Sequence, residues 1–358
     1  MIEKSKNGCA KIKAEDMTCL TAAIFRAHGV SASVARTVAD SLVLANLTGH
    51  DSHGVQRVTQ YLDWIRRGWI QPRGKLTVVR DKPNLLLVDG GFQFGQVIGR
   101  KATRMAMRKA KRGGFCLLSI RRSAHLGRMG EFAEIAAEDG FLFFSLTNTH
   151  GGGINVAPHG GREARLSANP VAAGAPWPGH APLIMDMATA AIAEGKISVA
   201  KAKGERLPPD SVINSRGETT TDPADYYTNP PGALLPFAGH KGFALSVFCE
   251  LFAGALSGAG CSKLGVDRVA NAMLALLLDP RAFAGRRFYE REVGAFAQHV
   301  RSCPLRKGVS EILLPGEPEA RERKRRQREG IFLPKSTWRS LTDAARAAEI
   351  AMPKVRYH

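Results

Sequence analysis

Phe115-Cys-Leu-Leu-Ser-Ile120, the stretch Arg128 to Asp139, and Phe141-Leu-Phe-Phe-Ser-Leu146 decide the fold class of this 358-residue chain. The first and last are short apolar runs preceded by glycine, the pattern of buried strands. The segment between them reads as a helix. Strand, helix and strand in close succession argue for an α/β layer.

Working outward, Leu76-Thr-Val-Val79, Leu85-Leu-Leu-Val88 and Leu183-Ile-Met-Asp186 are strand-like, and Ala102 to Arg112 is a basic helix stopped by Gly113-Gly114. The layer therefore runs from about residue 76 to 190. Before it, Glu15 to His28 and a segment capped by Ser31 read as helices, the second burying Val34, Val38, Leu42 and Ala45. A third helix is predicted from Asp51 or Ser52, with Val55, Val58, Leu62 and Ile65 as its apolar face. After a Pro-rich passage from Leu207 to Gly232, a long apolar helix starts near His240. Ala272 to Leu278 is a buried strand or helix, and Glu317 to Glu329 and Ser336 to Ala351 read as helices. The expected division is a helical part over 1–75, an α/β part over 76–239, and a second helical part with returning elements over 240–358.

A hydrophobic content of 44% with 23% charged residues belongs to a folded chain. The net charge of +19 could attract nucleic acid or a phosphate-bearing cofactor. Its densest cluster, Arg321 to Arg328, is interleaved with Glu322 and Glu329, so a basic solvated surface is expected and nucleic acid is not. The six cysteines (Cys9, Cys19, Cys116, Cys249, Cys261 and Cys303) form no CxxC pair and suggest reduced thiols in the cytoplasm. Met1 to Lys13 has no apolar core of a signal sequence, and Phe243 to Leu256 is too short to span a membrane.

Four clusters hold residues suited to chemistry. In Gly49-His-Asp-Ser-His-Gly-Val-Gln-Arg57, helical spacing aligns His53 with Arg57, Gln60 and Trp64, a proton-transfer group beside a cation. His53 can equally be a hydrogen-bonded histidine at a helix start, or a metal ligand with His50 and Asp51. Ser123-Ala-His-Leu-Gly-Arg-Met-Gly130 sets an imidazole and a guanidinium in a turn before a helix, where an anion is favoured. No GxGxxG follows the first strand, so the ordinary Rossmann fingerprint is missing. Asp186-Met-Ala-Thr-Ala190 ends a strand in small residues, with Asp186 also a candidate cap for the helix after it. Gly239-His-Lys-Gly242 brings two cationic donors to a helix N-terminus. The lysine there opposes the helix dipole, a local cost that points to function.

Together, in this order, these motifs resemble the malate/L-lactate dehydrogenase family of nicotinamide-dependent oxidoreductases. The resemblance rests on Asp51-Ser-His-Gly-Val-Gln-Arg57, Ser123-Ala-His-Leu-Gly127, Val156-Ala-Pro-His-Gly-Gly-Arg162, Asn169-Pro170 and Asp186-Met-Ala-Thr189. Thr220-Thr-Asp-Pro223, Leu234-Leu-Pro-Phe-Ala-Gly-His-Lys-Gly242 and Leu314-Pro-Gly-Glu317 extend it across nearly the whole chain. His125-Leu-Gly-Arg-Met-Gly130 is similar to the hydroxycarboxylate dehydrogenase branch. The resemblance implies a non-Rossmann α/β cofactor-binding domain with a mixed sheet, packed on a discontinuous helical domain, and a homodimer.

It further implies NAD or NADP as cofactor, a small 2-hydroxy or 2-oxo acid as substrate, and no resident metal. His53 matches the acid/base, with Asp51 or a neighbour orienting its imidazole, and Arg57 matches the holder of the substrate carboxylate. His125, Gly127, Asn169, Asp186, Met187, Ala188, Thr189, Ala190, His240, Lys241, Asn271, Gly316 and Glu317 match positions around the cofactor. Where the family has Gly-Thr-Asn-Pro this chain has Ser167-Ala-Asn-Pro170, a change beside the expected nicotinamide loop. The same architecture would suit reduction of a cyclic imino acid or a keto sugar acid. A catalytically silent, basic nucleic-acid-binding protein is the reading from another class.

Overall fold

The computed structural model describes residues 10–353 and 356–357; Cys9 and most of the Met1–Lys13 segment lie outside them. The chain opens with strand β1 (Ala10–Ile12) and helices α1 (Ala14–Ala27), α2 (Ala32–Leu47) and α3 (Val58–Arg66). Then follow β2 (Thr77–Lys82), β3 (Leu85–Asp89), α4 (Gly95–Gly113), β4 (Phe115–Ser123), α5 (Gly130–Glu138) and β5 (Leu142–His150). Next come β6 (Val171–Ala175), β7 (Leu183–Met187), α6 (Glu194–Lys203) and the short β8 (Val212–Ile213), β9 (Thr219–Thr220) and β10 (Ala233–Leu234). Helix α7 (His240–Cys249) runs into a π-helical stretch, Glu250–Ala255, before β11 (Ala270–Leu278) and α8 (Arg286–Arg301). The chain ends with α9 (Glu317–Glu329), β12 (Ile331–Leu333), α10 (Lys335–Ala347) and β13 (Arg356–Tyr357).

Seven strands form one sheet in the order β2-β3-β4-β11-β5-β6-β7. Only β3 and β4 run parallel within it; the other neighbours are antiparallel. This is the mixed, non-Rossmann sheet that the motifs imply. Its central strand, β11, falls inside the 240–358 range that reads as helical. The run Ala-Asn-Ala-Met-Leu-Ala-Leu-Leu-Leu lies between β4 and β5 and is apolar on both faces apart from Asn271, although Leu274, Leu276 and Leu278 are only half-buried, so its sequence carries no alternation by which to tell strand from helix.

Helices α4 and α5 cover one face of the sheet, where Ile98, Ala102, Ala106 and Phe132 meet Leu118, Ile120, Met273 and Leu277. A second core joins α1, α2 and α3 to the returning α10 through Phe25, Leu42, Val58, Tyr61 and Leu341. Burying each of these larger side chains contributes about 2 kcal/mol. Phe94, at the start of α4, sits in the helical core with its ring 5.5 Å from Phe25, so the two layers interlock. Ser41 of α2 donates to the buried carboxylate of Glu131 on α5 at 2.9 Å, and Arg100 of α4 pairs with the same group. Burial raises the Glu131 pKa, and the Arg100 charge opposes that shift.

Candidate active site

The Gly49–Arg57 stretch does not begin a helix as its periodicity predicts. Asp51–His53 and Val55–Arg57 are two separate 3₁₀ turns, and the α-helix starts only at Val58. The reason is Asn46 of α2, whose Oδ1 accepts the Val55 N–H at 2.9 Å and so does the capping that Ser52 or Asp51 was expected to do. Gly54 makes room for that amide: a Cβ there would stand 2.3 Å from Asn46 Oδ1.

Asp51 is therefore not the orienting group of His53. Its carboxylate accepts from Asn46 Nδ2 at 2.6 Å and from Arg326 of α9 at 2.7 and 3.0 Å, which ties α9 to the motif. Ser52 stands in the place expected of Asp51, with its Oγ 3.1 Å from His53 Nδ1. His50 is turned to Thr48, 3.2 Å from that residue's carbonyl oxygen.

His53 and His125 stack, with ring centroids 5.6 Å apart and planes 16° from parallel. Two residues 72 positions apart in sequence thus share one site. Desolvation, followed by the charges of Arg57, His50 and Arg128, pushes the His53 imidazole down to about 3. The same causes, burial first and then Arg57 and His53, hold His125 well below the ordinary imidazole range. Both rings are neutral at working pH, the form that accepts a proton. Arg57 donates from Nε to the Ser52 carbonyl at 2.7 Å and from Nη1 to Gln60 Oε1 at 2.7 Å. Its Nη2 makes no hydrogen bond among the described residues and remains free for an anion.

The turn after His125 is fixed by β11: Asn271 Oδ1 accepts the Leu126 N–H at 2.9 Å while its Nδ2 donates to the Asn148 carbonyl and Thr149 Oγ1. Gly127 holds a φ of +82°, open to glycine at little cost. Gly130 then starts α5, and its N–H donates to Asp186 Oδ2 at 2.7 Å. Asp186 thus caps α5 from across the fold, whereas the helix after it in sequence begins at Glu194. Arg128 lies beside this pair, 4% exposed, ion-paired with Glu134 at 2.5 Å, with Nε, Nη1 and Nη2 all lacking an aligned hydrogen-bond partner. The N-terminus of α5 and the Arg128 guanidinium are thus engaged by the carboxylates of Asp186 and Glu134.

Several other expected cofactor positions act on the protein itself. Asn169 is fully buried, its Nδ2 donating to Glu250 Oε1 at 2.8 Å and Ser246 Oγ at 3.0 Å. Glu250 also accepts from Asn148 and from the backbone and hydroxyl of Ser262. Thr189 is buried too, donating from its hydroxyl at 3.0 Å and its N–H at 2.8 Å to the Ala168 carbonyl. A carbonyl is what Thr189 uses, so the Ser167-Ala168 replacement leaves that tie in place. Met187 and Ala188 lead to Thr189, and Ala190 bridges to Pro236. Phe237 N–H then donates to the Thr189 carbonyl just before exposed His240 and Lys241 open α7. Pro315, next to Gly316, accepts the Ile184 N–H at 3.1 Å, and Glu317 takes the Leu314 N–H at 2.7 Å and pairs with Arg301.

The sequence reading missed Tyr61, Gln96, Glu250 and Arg326. An aromatic on an apolar helix face reads as core, and nothing local marks the other two polar residues. Glu250 alone left a signal, as the only carboxylate in an apolar run. No group of three or more His, Cys, Asp or Glu placed to hold a metal ion occurs among the described residues. No helix there is long and apolar enough to cross a membrane. A groove of about 970 Å³ near Arg104, Arg108, Trp177 and Tyr289 shares no lining residue with the His53 cluster.

The chain matches the malate/L-lactate dehydrogenase family over residues 12–342. It is 38% identical to the L-lactate dehydrogenase of Cupriavidus necator over 92% of this chain and 95% of that one. Hydroxycarboxylate dehydrogenase B of Escherichia coli is 36% identical, over 96% and 95% of the two chains. The solved sulfolactate dehydrogenase of Methanocaldococcus jannaschii superposes with a TM-score of 0.86 at 30% identity, covering 96% of this chain and 98% of its own. The motifs, the mixed sheet and these likenesses converge: the chain belongs to the malate/L-lactate dehydrogenase family, the nicotinamide-dependent oxidoreductases that act on the CH–OH group of 2-hydroxy acids.

Proposed function

We propose that the chain interconverts a small 2-hydroxy acid and its 2-oxo acid at the site where His53, Arg57 and His125 meet. The observation that carries this is the convergence of a neutral, partly desolvated His53 with a guanidinium that has an unspent Nη2. With Nδ1 engaged by Ser52 Oγ, His53 Nε2 is the nitrogen left to take the hydroxyl proton during oxidation. Arg57 holds the substrate carboxylate, its own orientation set by Ser52 and Gln60. The cofactor, held by the 125–130 turn, Asp186 and the Gly316 loop, supplies the hydride acceptor or donor. In reduction His53 returns the proton, so it must first be protonated.

Titrating nicotinamide fluorescence with NADH and with NADPH decides the cofactor, and a panel of 2-oxo acids with one cyclic imino acid decides the bond reduced. Saturable binding of one cofactor and turnover of a 2-oxo acid is the expected result. Turnover of the imino acid alone would overturn the substrate class. Cys19, Cys116, Cys249, Cys261 and Cys303 are all free thiols, which supports a reducing, cytoplasmic setting.

The working form is a homodimer. Phe248, Leu251, Phe252 and Leu256, on α7 and its π-helical extension, are 42–62% exposed and continuous along one element. Such a patch suits a second copy of the chain. Leu256→Glu is expected to shift the protein from dimer to monomer in sedimentation velocity, while Glu placed at exposed Phe115 on β4 leaves the dimer intact. A wild-type monomer, or a Leu256→Glu dimer, would refute this face.

A further inference from the structure

Tyr61 projects from α3 into the core beneath the site, 1% exposed. Its hydroxyl lies 2.7 Å from His125 Nδ1 and 2.9 Å from Gln96 Nε2. We infer that Tyr61 is a positioning residue that fixes His125 as the Nε2–H tautomer, so that His125 offers a hydrogen-bond donor to an acceptor oxygen of the bound ligands. The inference deepens the proposed function, since it concerns what His125 presents to cofactor or substrate.

The direction of the chain follows from counting protons. An amide nitrogen only donates, so Gln96 gives a proton to the Tyr61 oxygen. The phenol has one proton of its own, and giving it to His125 Nδ1 pairs it, whereas accepting from an Nδ1–H as well would leave the buried O–H without an acceptor. A neutral imidazole accepting at Nδ1 carries its proton at Nε2, on the ring edge away from Tyr61. Turning the Gln96 amide over would reverse the chain, but it would leave two buried N–H groups without partners. As placed, Gln96 Oε1 and one of the two Nε2 hydrogens lack a partner, so one N–H is left over rather than two. Buried orphan N–H groups are rarer and costlier than an under-used carbonyl.

Two features make the arrangement hold at working pH. Burial pushes the Tyr61 phenol up to about 12, so it stays a donor. Burial and the charge of Arg57 keep His125 neutral, so the location of its single proton decides whether it donates or accepts. Phe25, Phe94 and Trp64 pack around the Tyr61 ring with centroids 5.6–6.5 Å away, which leaves the phenol little freedom to turn elsewhere.

The test is nitrogen NMR of ¹⁵N-histidine-labelled protein without ligand, with the His125 signals assigned by their loss in His125→Asn. The expected spectrum has an unprotonated Nδ1 and a protonated Nε2 for His125. Tyr61→Phe keeps the ring packing and removes the hydroxyl; it is expected to give a mixture of both tautomers. In that variant NADH or NADPH binding, or the KM for the 2-oxo acid, should weaken by about tenfold, the factor carried by one neutral hydrogen bond. Whichever constant moves tells whether the acceptor oxygen belongs to cofactor or substrate. Gln96→Leu, which removes the first donor, should shift the tautomer in the same sense and guards against a folding defect in Tyr61→Phe. A wild-type Nδ1–H tautomer, or a Tyr61→Phe protein with unchanged tautomer and unchanged constants, overturns the inference. The ligand-free spectrum needs no cofactor, so it stands even if the dehydrogenase reading fails.

Discussion

Replacing His53 by alanine is expected to lower hydride transfer on the bound cofactor by about 10²–10⁴-fold, the usual contribution of a positioned acid or base. Single-turnover absorbance at saturating cofactor and substrate is the measurement, because it separates chemistry from binding. A variant within about tenfold of wild type would remove His53 from the mechanism. The pH dependence gives a second, independent reading. With its imidazole lowered to about 3, His53 is a ready base across the neutral range, so oxidation should show no loss near the ordinary histidine value of about 6.5. Reduction needs the protonated ring, which becomes more populated as pH falls, so reductive kcat/KM should rise toward acid. An arriving 2-oxo acid carries a negative charge to Arg57 and offsets one cause of the shift, which raises the His53 pKa in the complex. The rise of reductive kcat/KM toward acid should vanish in His53→Ala.

Much of the fold was legible because each layer has its own period. The apolar runs at 115–120, 141–146 and 183–186 are strands, and the helices of the first 50 residues fall where glycine, Ser31 and the apolar stripe put them. What stayed hidden depends on partners distant in sequence. The start of α3 was misplaced because Asn46, on the preceding helix, caps the backbone at Val55. β11 is ambiguous because a central strand with apolar residues on both faces has no polar side to reveal its period. The same distinction runs through the site. The motifs mark Asp186, Asn169, Thr189 and Asn271, yet a motif does not tell a group that touches a ligand from one that holds the loop that does. In the fold Asn169 and Asn271 spend their amides on Glu250, Ser246, Leu126 and Asn148. Asp51 is the plainest case: a carboxylate two residues from His53 invites a dyad, but Arg326, arriving from 275 positions away, claims it.

Arg57→Lys is expected to lower kcat/KM for the 2-oxo acid by about 10²-fold, chiefly through KM, with cofactor affinity unchanged. The charge survives this change; the geometry does not. Arg57 uses Nε and one Nη1 proton to hold Ser52 and Gln60, leaving Nη2 and the second Nη1 proton for a carboxylate. One ammonium cannot hold two protein acceptors and still present two parallel donors. Losing a charge-assisted pair at a desolvated site costs about 2–5 kcal/mol, which brackets that factor. Arg57→Gln separates the second role of this residue, because it removes the charge that helps hold His53 neutral. In Arg57→Gln the His53 pKa should rise, and the acid-side gain in reductive kcat/KM should begin at higher pH than in wild type, even as KM worsens further. Arg57→Lys should leave that profile where it was. Wild-type KM in Arg57→Lys would place the carboxylate elsewhere, and identical pH profiles in Arg57→Gln and wild type would detach Arg57 from the His53 equilibrium.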